Sequence, residues 1–281
     1  MRRYAVWWAL GAVSTLGAVH GAFEDRPFSA RSAGLGDAAV ASAGGPDSAY
    51  ENPAGLARTN QSGVSLGHTD LLGMSEMPRN TVSAVFPFPG RAAWGLYGVD
   101  FGSNVYRERE AALAAGWSLD STSAVGAAIK GQQLSVDRYG RASAWQIDVG
   151  WWGRPLPGVA AGVVVRNATQ SRLRGLPEKS PAVFLAGVES DFWKGAPAFL
   201  AIRRDAGGSA EWRLGQEIFL RSTAVFRMGY RSAPARWGLG WGFVFSPWSL
   251  DYAFLTHPNL PDQHQFNFTW RGKARVRSDF P

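Results

Sequence analysis

The strongest constraint on the fold is a series of short alternating segments that begins at Ser62 and runs almost to the end of the chain. Late in the sequence, for example, Phe266, Phe268 and Trp270 alternate with polar residues. A period of two with bulky residues on one side is the signature of a β-strand. Candidate strands of this kind cover 62–69, 80–88, 91–101, 110–119, 122–135, 142–153, 158–169, 181–190, 195–205, 209–220, 222–231, 236–246, 248–255 and 263–271. They predict about fourteen strands, many near the roughly 9–11 residues that a tilted strand needs to cross a bilayer.

The chemistry of the second face separates two kinds of all-β fold. In 236–245 the bulky side chains alternate with Gly238, Gly240 and Gly242, and in 211–220 the second face is charged. A soluble sandwich would bury the apolar faces against a second sheet, whereas a membrane barrel turns them towards lipid. We therefore predict an all-β chain that forms a transmembrane antiparallel β-barrel of about 14 strands (range 12–14). A soluble secreted β protein is the alternative.

The first residues have the parts of a secretory signal peptide. Arg2 and Arg3 precede an apolar run from Ala5 to Val19, and small residues follow. This order predicts a cleaved signal and export by the Sec-dependent route. Together with the predicted barrel, it places the mature protein in the outer membrane of a Gram-negative envelope.

Composition narrows the remaining choices. The 281 residues include no cysteine, so neither a disulfide nor a lipid-modified cysteine holds the mature chain. Glycine (34), tryptophan (13) and phenylalanine (16) are abundant, as expected of a barrel whose two faces differ in polarity. The formal net charge of +7 is scattered along the sequence, which argues against a nucleic-acid partner.

Between the predicted signal and the first strand lies a segment of a different kind, residues 29–56. It is rich in small residues and interrupted by glycines, so it is neither a strand nor a good amphipathic helix. Pro53 also forces Asn52 out of the helical region. We predict a compact, turn-rich plug inside the barrel. The resulting division of the chain is 1–22 signal peptide, 23–60 N-terminal plug, 61–271 transmembrane barrel and 272–281 polar C-terminal tail.

Two motifs of the plug resemble a known family. The motif Ala33-Gly34-Leu35-Gly36, followed by Asn52-Pro53-Ala54-Gly55-Leu56, is similar to the amino-terminal region of FadL-like outer-membrane transporters, and more closely to that of the related PorV/PorQ-type barrel proteins. Segments 226–231, 238–243 and 250–254 resemble the closing strands of the PorV-type group. Segment 264–270 looks like the last strand that the outer-membrane insertion machinery reads. The resemblance implies that the plug motif near the lumen consists of Gly34, Gly36, Asn52, Pro53, Ala54 and Gly55.

The resemblance implies two functions, which remain open at this point. The first is a plugged channel or transporter for small hydrophobic molecules, with a hydrophobic ligand and outer-membrane lipids as partners. The alternative is a non-catalytic docking or shuttle component of a protein secretion system, with secretion proteins as partners. A transporter needs an apolar path beside the plug. A docking barrel needs exposed external loops, for which 102–109 and 170–180 are the candidates.

Charged residues on the second face of the strands are predicted to face the lumen. Because cations and carboxylates occur there together, a structural ion-pair network is favoured over an acid/base pair. The predicted lumen-facing charges are Asp148, Arg213, Glu217, Arg227, Arg231 and Asp251. Residues assigned inward are largely charged or small, which predicts a polar lumen closed by the plug.

The sequence contains no pattern that predicts catalysis. The sequence Gly63-Val64-Ser65-Leu66-Gly67 matches the nucleophile elbow of hydrolases, but it alternates like a strand and no helix follows it. The histidines of the mature chain, His68, His257 and His264, lack the spacing of metal ligands. We predict no catalytic residue, no metal and no cofactor, and therefore a protein that is not an enzyme.

Overall fold

The computed structural model describes residues 22–70, 76–174, 180–206 and 208–274. Residues 1–21 of the predicted signal peptide and residues 275–281 of the predicted tail lie outside these described residues. No helix of the described residues has the length and apolar character needed to cross a membrane. The strands are β1 Gly63–Asp70, β2 Pro78–Pro87, β3 Ala92–Gly102, β4 Tyr106–Ser118, β5 Ser123–Val136, β6 Gly140–Leu156, β7 Val159–Arg166, β8 Val183–Ser190, β9 Ala198–Asp205, β10 Ala210–Arg221, β11 Ala224–Ser232, β12 Ala235–Phe245, β13 Trp248–Leu255 and β14 Gln263–Arg271.

These strands form one closed antiparallel barrel. Each strand pairs with its neighbours in sequence, and β1 pairs with β14 to complete the ring. The closing register joins Gly63 to Arg271 and Asp70 to His264. A closed ring leaves no strand edge with unpaired backbone groups, which is the condition for crossing lipid as a sheet. The predicted fourteen-stranded fold is confirmed.

The two ends of the barrel differ in their connections. At one end, which we name the turn end, β6–β7, β10–β11 and β12–β13 are each joined by two residues. At the other, the loop end, residues 167–182 join β7 to β8 and residues 256–262 join β13 to β14. The short turns predicted at Asp120-Ser121, Arg221-Ser222 and Ser246-Pro247 all lie at the turn end. The links predicted at 170–180 and 256–262 lie at the loop end.

The prediction of an external loop at 102–109 was wrong. Strand β4 already begins at Tyr106, and Arg107 pairs with Gly102 of β3. The charges that suggested a loop alternate instead between the two faces, with Glu108 buried inside and Arg109 exposed outside. A strand that extends beyond the apolar band carries polar residues on both faces, so polarity alone did not distinguish it from a loop.

The outward face is apolar and the inward face polar, as the alternation predicts. On β6, Trp145 is 70% exposed whereas the next residue, Gln146, is 3% exposed. Exposed tryptophans lie towards both ends of the wall, in the positions of the aromatic girdles that flank the apolar band of membrane barrels. They are Trp94, Trp117, Trp151 and Trp248 towards the turn end, and Trp145, Trp212 and Trp237 towards the loop end.

Residues 23–60, the plug, pass through the interior of the barrel. The plug contains the short helices α1 (Ala30–Gly34) and α2 (Ser48–Glu51) and the 3₁₀ segments η1 (Ala39–Ala41) and η2 (Pro53–Arg58). Helix α1 contacts strands β11 to β14, η1 contacts β7 to β9, and α2 and η2 contact β2 to β6. Contacts on so many sides are possible only from inside the ring.

Glycines of the wall let the plug backbone approach closely. A Cβ at Gly126 would clash with the backbone of Pro53 and Ala54, and a Cβ at Gly162 would clash with the carbonyl of Val40. On the opposite side of the barrel, Gly229 faces Gly36 in the same way. The small residues of the plug and the glycines of the wall therefore form one complementary surface.

We expect the substitution Gly126→Val to push the plug off the wall, because overpacking a tight contact costs roughly 1–3 kcal/mol or more. Ser48 is buried in the plug, so a Ser48→Cys reporter in this cysteine-free chain reacts slowly with a thiol reagent in the wild-type background. The Gly126→Val variant should react faster. The neighbouring control, Ala127→Val, faces outward and should leave the rate unchanged. Equal rates in both variants would contradict the packing described here.

Candidate functional site in the plugged lumen

The interior divides into a charged sector along β7 to β13, where ion pairs tie the plug to the wall, and a sector along β2 to β5. We name the second the apolar sector after its aromatic cluster, although its wall also buries Arg79, Glu108 and Lys130. The centre of the charged sector is Asp25, a plug residue whose carboxylate bridges three strands. It accepts hydrogen bonds from Arg203 Nε and Arg213 Nη2, both at 2.9 Å, and from Arg166 Nη1. Burial by itself raises the pKa of the Asp25 carboxyl, but the three guanidinium groups outweigh burial and hold its pKa well below its usual range. Asp25 is therefore ionised and ties the start of the plug to β7, β9 and β10.

Arg213 extends this network to a second plug residue. Its side chain is 1% exposed, and it donates through Nη1 to the Asp37 carboxylate at 2.5 Å. Its Nε donates to Glu211 at 2.7 Å, and Arg231 Nη2 donates to the other oxygen of Glu211 at 3.0 Å. A buried guanidinium with this many charged partners is satisfied in its hydrogen bonds as well as in its charge.

A second ionic link joins α1 to the wall. Arg31 donates to both oxygens of Glu217, at 2.9 and 3.0 Å. Arg227 donates to the same carboxylate at 2.8 Å and to Asp251 at 2.6 Å. This chain of charges connects the plug to β10, β11 and β13.

All six charges predicted to face the lumen lie inside the barrel and are buried. Arg213 and Glu217 contact the plug directly, and Arg227, Arg231 and Asp251 pair with neighbouring wall residues. Asp148 lies apart from them, where it pairs with Lys130 at 2.9 Å and accepts from the backbone of Asn167 at 2.7 Å.

The predicted plug motif is a packing element. Asn52 is fully buried; its Nδ2 donates to the carbonyls of Val40 and Trp151, both at 3.0 Å, and its Oδ1 accepts from Ala54 N at 3.1 Å. Its backbone is extended (φ −157°), as the following Pro53 dictates. Since both amide hydrogens of Asn52 are engaged within the protein, its side chain holds the plug in shape and is not free to bind a ligand.

The glycines of the motif have distinct positions. Gly34 packs against the backbone of Gly240, and Gly36 has a left-handed φ of +62° beside the Tyr230 backbone, where a Cβ would clash. Gly55 accepts a hydrogen bond from Gly44 N at 3.1 Å. These contacts explain why the motif is built from residues without large side chains.

The apolar sector was not foreseen from the sequence. Phe28 of the plug stacks on Tyr50 with ring centroids 4.6 Å apart, and both rings meet the edge of Tyr97 on β3, at 5.8 and 5.2 Å. Smaller side chains surround these rings: Ala49, Leu56, Val85, Ala93, Val99, Ala112, Ala114 and Ala128. The predicted polar lumen does not extend to this aromatic cluster, because β3 places Tyr97, Val99 and Phe101 inside while Trp94 and Leu96 face outward.

Several interior residues also escaped the sequence reasoning. Asp25 follows the predicted signal within a run of mixed charges and shows no periodicity. Arg166 is the last residue of β7, and Arg203 stands beside Arg204, so adjacent charges blur the alternation in β9. The period of two could have found Arg203, since Phe199 and Ala201 share its face, but no sequence signal pairs it with Asp25.

The apparent hydrolase motif lies in a plain strand. Ser65 is buried in β1 and accepts a hydrogen bond from Thr269 Oγ1 at 3.0 Å. His68 faces outward, 2.8 Å from Asn80. Among the described residues, no group of three or more histidines, aspartates and glutamates is placed to hold a metal ion.

No protein-family model matches the chain, and no curated protein matches it by sequence. Its fold is similar to solved structures of channels. The Pseudomonas putida toluene transporter TodX has 10% identity and a TM-score of 0.64, over 89% of this chain and 98% of that one. The CymD monoaromatic hydrocarbon channel has 14% identity and a TM-score of 0.61, over 83% and 94%.

A Pseudomonas aeruginosa FadL homologue is also similar, with 12% identity and a TM-score of 0.58, over 85% of this chain and 97% of that one. At such low identity the similarity shows the fold alone, a closed fourteen-stranded antiparallel barrel. The closer PorV/PorQ-type resemblance is not supported by these comparisons and stays a prediction.

We expect Asp25→Asn to release the start of the plug. The variant leaves three buried arginines without a shared carboxylate, and breaking a buried ion pair costs roughly 3–5 kcal/mol. The measurement is denaturant unfolding of the folded barrel in detergent, together with labelling of the Ser48→Cys reporter. The adjacent control, Glu24→Gln, removes a partly exposed pair with Arg26 and should cost no more than about 1 kcal/mol. If both variants unfold like the wild type, Asp25 does not anchor the plug.

Glu51 predicts a pH dependence of stability. Burial, reinforced by the negative charge of Asp37, raises the pKa of Glu51 from 4.5 to about 8, and its Oε1 has no hydrogen-bond partner among the described residues. The folded protein therefore holds this proton to higher pH than the unfolded chain does. Its contribution to stability is complete below pH 4.5 and is lost as the pH rises towards 8. The substitution Glu51→Gln should flatten this fall in midpoint unfolding temperature between pH 5 and pH 9, and an unchanged profile would refute the assignment.

Proposed function

We propose that this protein is a plugged outer-membrane channel that admits small hydrophobic molecules. The observation that carries the proposal is the apolar sector between the plug and β2 to β5. Here the plug contacts the wall through ring packing and through hydrogen bonds from Arg79 and Thr81 to plug carbonyls, and among the described residues no ion pair joins the plug to β2 to β5. The similarity of the fold to two hydrocarbon channels supports the same assignment.

The arrangement of this sector suggests a path. Towards the loop end, a small cavity of about 40 Å³ lies between β2, β3, β4 and the start of the plug. Val99 and Phe101 line it together with charged residues: Glu24, Arg26, Arg79, Glu108 and Glu110. Nearer the turn end, the rings of Tyr97, Phe28 and Tyr50 fill this sector of the lumen. A flat apolar solute can replace ring–ring contacts with its own, because aromatic surfaces pack by offset or edge contact. Passage then requires that the plug rings move, and with them the hydrogen bond from the Tyr97 hydroxyl to Glu110 and the contact of Arg166 with the Tyr50 ring.

The charged sector would keep the plug in the barrel during such a movement. Asp25 and Arg31 hold it by buried ionic contacts on one side. On the other side Phe28 and Tyr50 hold it by ring packing, and the Phe28 carbonyl accepts hydrogen bonds from Thr81 and Gln265. A hydrophobic solute competes for the second kind of contact and has no affinity for the first. We infer that the plug yields locally along β2 to β5 and stays attached along β7 to β13.

The secretion-docking role, the alternative left open by the sequence, is less well supported by this geometry. At the loop end, residues 103–105, 137–139 and 233–234 form connections of two or three residues. They offer little surface to a protein client, and β4 takes up most of the predicted loop 102–109. Of the two candidate docking loops, only 170–180 lies in a long link at the loop end.

The test is uptake of toluene by cells that carry the barrel in their outer membrane. Wild-type protein should raise uptake above that of cells without it, and Phe28→Ala should raise it severalfold more, because it removes a ring that blocks the apolar sector. The matched control is Leu35→Ala, an equally buried plug residue packed against β7 to β9. Both changes cost a similar roughly 2–5 kcal/mol of packing, so general loosening would affect both. Equal uptake with both variants, or none with the wild type, would refute the proposed path.

A further inference from the structure

A second cavity, of about 1030 Å³, lies on the outside of the wall. One horizontal row of register partners forms its floor: Leu250, Phe268, Leu66, Val82, Gly98, Ala111, Gly131 and Trp145. All of these residues are on the outward face. In β3, β4 and β5 the residue of this row is glycine or alanine, whereas the large side chains of Trp145 and Phe268 lie on either side. The wall is therefore grooved where three successive strands carry almost no side chain. We name this feature the outer groove.

The groove is not an opening in the wall. Strands β2, β3, β4 and β5 are paired without interruption across it, from Asn80 with Asp100 to Ala111 with Gly131. A hydrophobic solute cannot pass through the wall here in this structure. The volume is at the upper end of the roughly 300–1,000 Å³ typical of ligand pockets, so the groove has room for an elongated apolar chain lying on the wall.

The row of partners immediately towards the loop end is polar. It contains Asn80, Asp100, Arg109, Gln133 and Ser143, all of which line the same cavity. A smaller polar cleft of about 170 Å³ continues from it and shares Arg109 and Gln133 with the groove. Along the strands the surface thus changes from apolar to polar within one row.

Three arginines define the polar cleft. Arg107 and Arg109 both donate to Asp100, at 2.8 and 3.0 Å through their Nε atoms, and that carboxylate balances only one of their charges. Arg141 lines the cleft as well and is exposed. Within the part of the chain that the structure describes, its side chain has no ion pair. A positive charge is therefore available at the mouth of the groove.

The height of this cluster matches a membrane surface. Arg109 lies nine residues from Ser118 at the turn end of β4. For a strand tilted by about 40° this corresponds to about 23 Å along the barrel axis, close to the roughly 25 Å height of the apolar band of such barrels. The arginines are at the level of lipid headgroups, and the groove below them is at the level of acyl chains.

We propose that the outer groove binds one anionic membrane lipid, with an acyl chain on the Gly98–Ala111–Gly131 floor and a phosphate headgroup on Arg109 and Arg141. Acyl chains surround every part of the apolar band, so the chain alone gives little preference. The headgroup is selected by charge and by the guanidinium geometry that suits phosphate. The inference rests on the membrane location of the proposed function, but it does not depend on what passes through the lumen.

The test is native mass spectrometry of the folded barrel in detergent, titrated with phosphatidic acid and separately with phosphatidylcholine of the same chains. One phosphatidic acid should remain bound at concentrations where phosphatidylcholine does not. Arg141→Gln should weaken its retention about tenfold, the effect of one lost charge-assisted hydrogen bond. Ala111→Leu should weaken retention as well, because it fills the floor of the groove.

Matched controls separate this site from general attraction to a basic protein. Arg138 lies in the adjoining turn and is 90% exposed, and it does not line the cleft. Arg138→Gln and the outward Ala127→Leu should both leave retention unchanged. The proposal is overturned if Arg138→Gln weakens retention as much as Arg141→Gln, if phosphatidylcholine binds equally well, or if glycerol phosphate without acyl chains displaces the lipid. A variant that fails to fold would be recognised on electrophoresis, because it would lose the band of the folded barrel that shifts on heating. Toluene uptake by cells with Arg141→Gln reports separately on the lumen.

Discussion

A fourteen-stranded barrel encloses more space than its own inward side chains can fill, and the way in which this space is closed determines the rest of the structure. The plug has little regular secondary structure of its own, so its backbone must be packed against the wall or hydrogen-bonded to it. Two devices meet this need. Glycines such as Gly126 and Gly229 let the plug backbone approach the wall, and buried charges such as Arg213 and Glu217 hold it there. Each kind of contact depends on a matching group of the plug, either its backbone or a side chain of opposite charge.

The two sectors of the lumen have different physical consequences. Buried ion pairs are costly to separate, because each partner would be left charged in a medium of low polarity. Apolar ring contacts are non-directional, and another apolar molecule can replace them. A plug held by Asp25 on one side and by Phe28 on the other therefore has a firm side and a yielding side. This asymmetry supports the proposed passage of hydrophobic molecules independently of the similarity to solved channel structures.

The barrel could be predicted from the sequence because each strand carries its own signal. Alternation in 236–245 or 263–271 is visible within about ten residues. Membrane strands retain this pattern because one of their faces contacts lipid and must be apolar. The interior could not be predicted in the same way. Asp25 meets Arg166, Arg203 and Arg213 only after strands far apart in sequence have been brought together. The apolar sector was missed because Tyr97 and Val99 continue a strand whose outward residues are also apolar, so that both faces of β3 look alike. The loop end of β4 was missed for the converse reason, since its charges lie on both faces.

The claim on which this account depends is that residues 23–60 are an ordered element inside the barrel. Hydrogen–deuterium exchange of the wild-type protein in lipid nanodiscs tests it directly. The amides of Asn52, Ala54 and Gly55, which are buried and engaged in hydrogen bonds, should exchange as slowly as those of the strands they touch. Exchange of the whole segment at the rate of a free chain would show that the plug does not occupy the lumen, and the proposed gate along β2 to β5 would have to be abandoned.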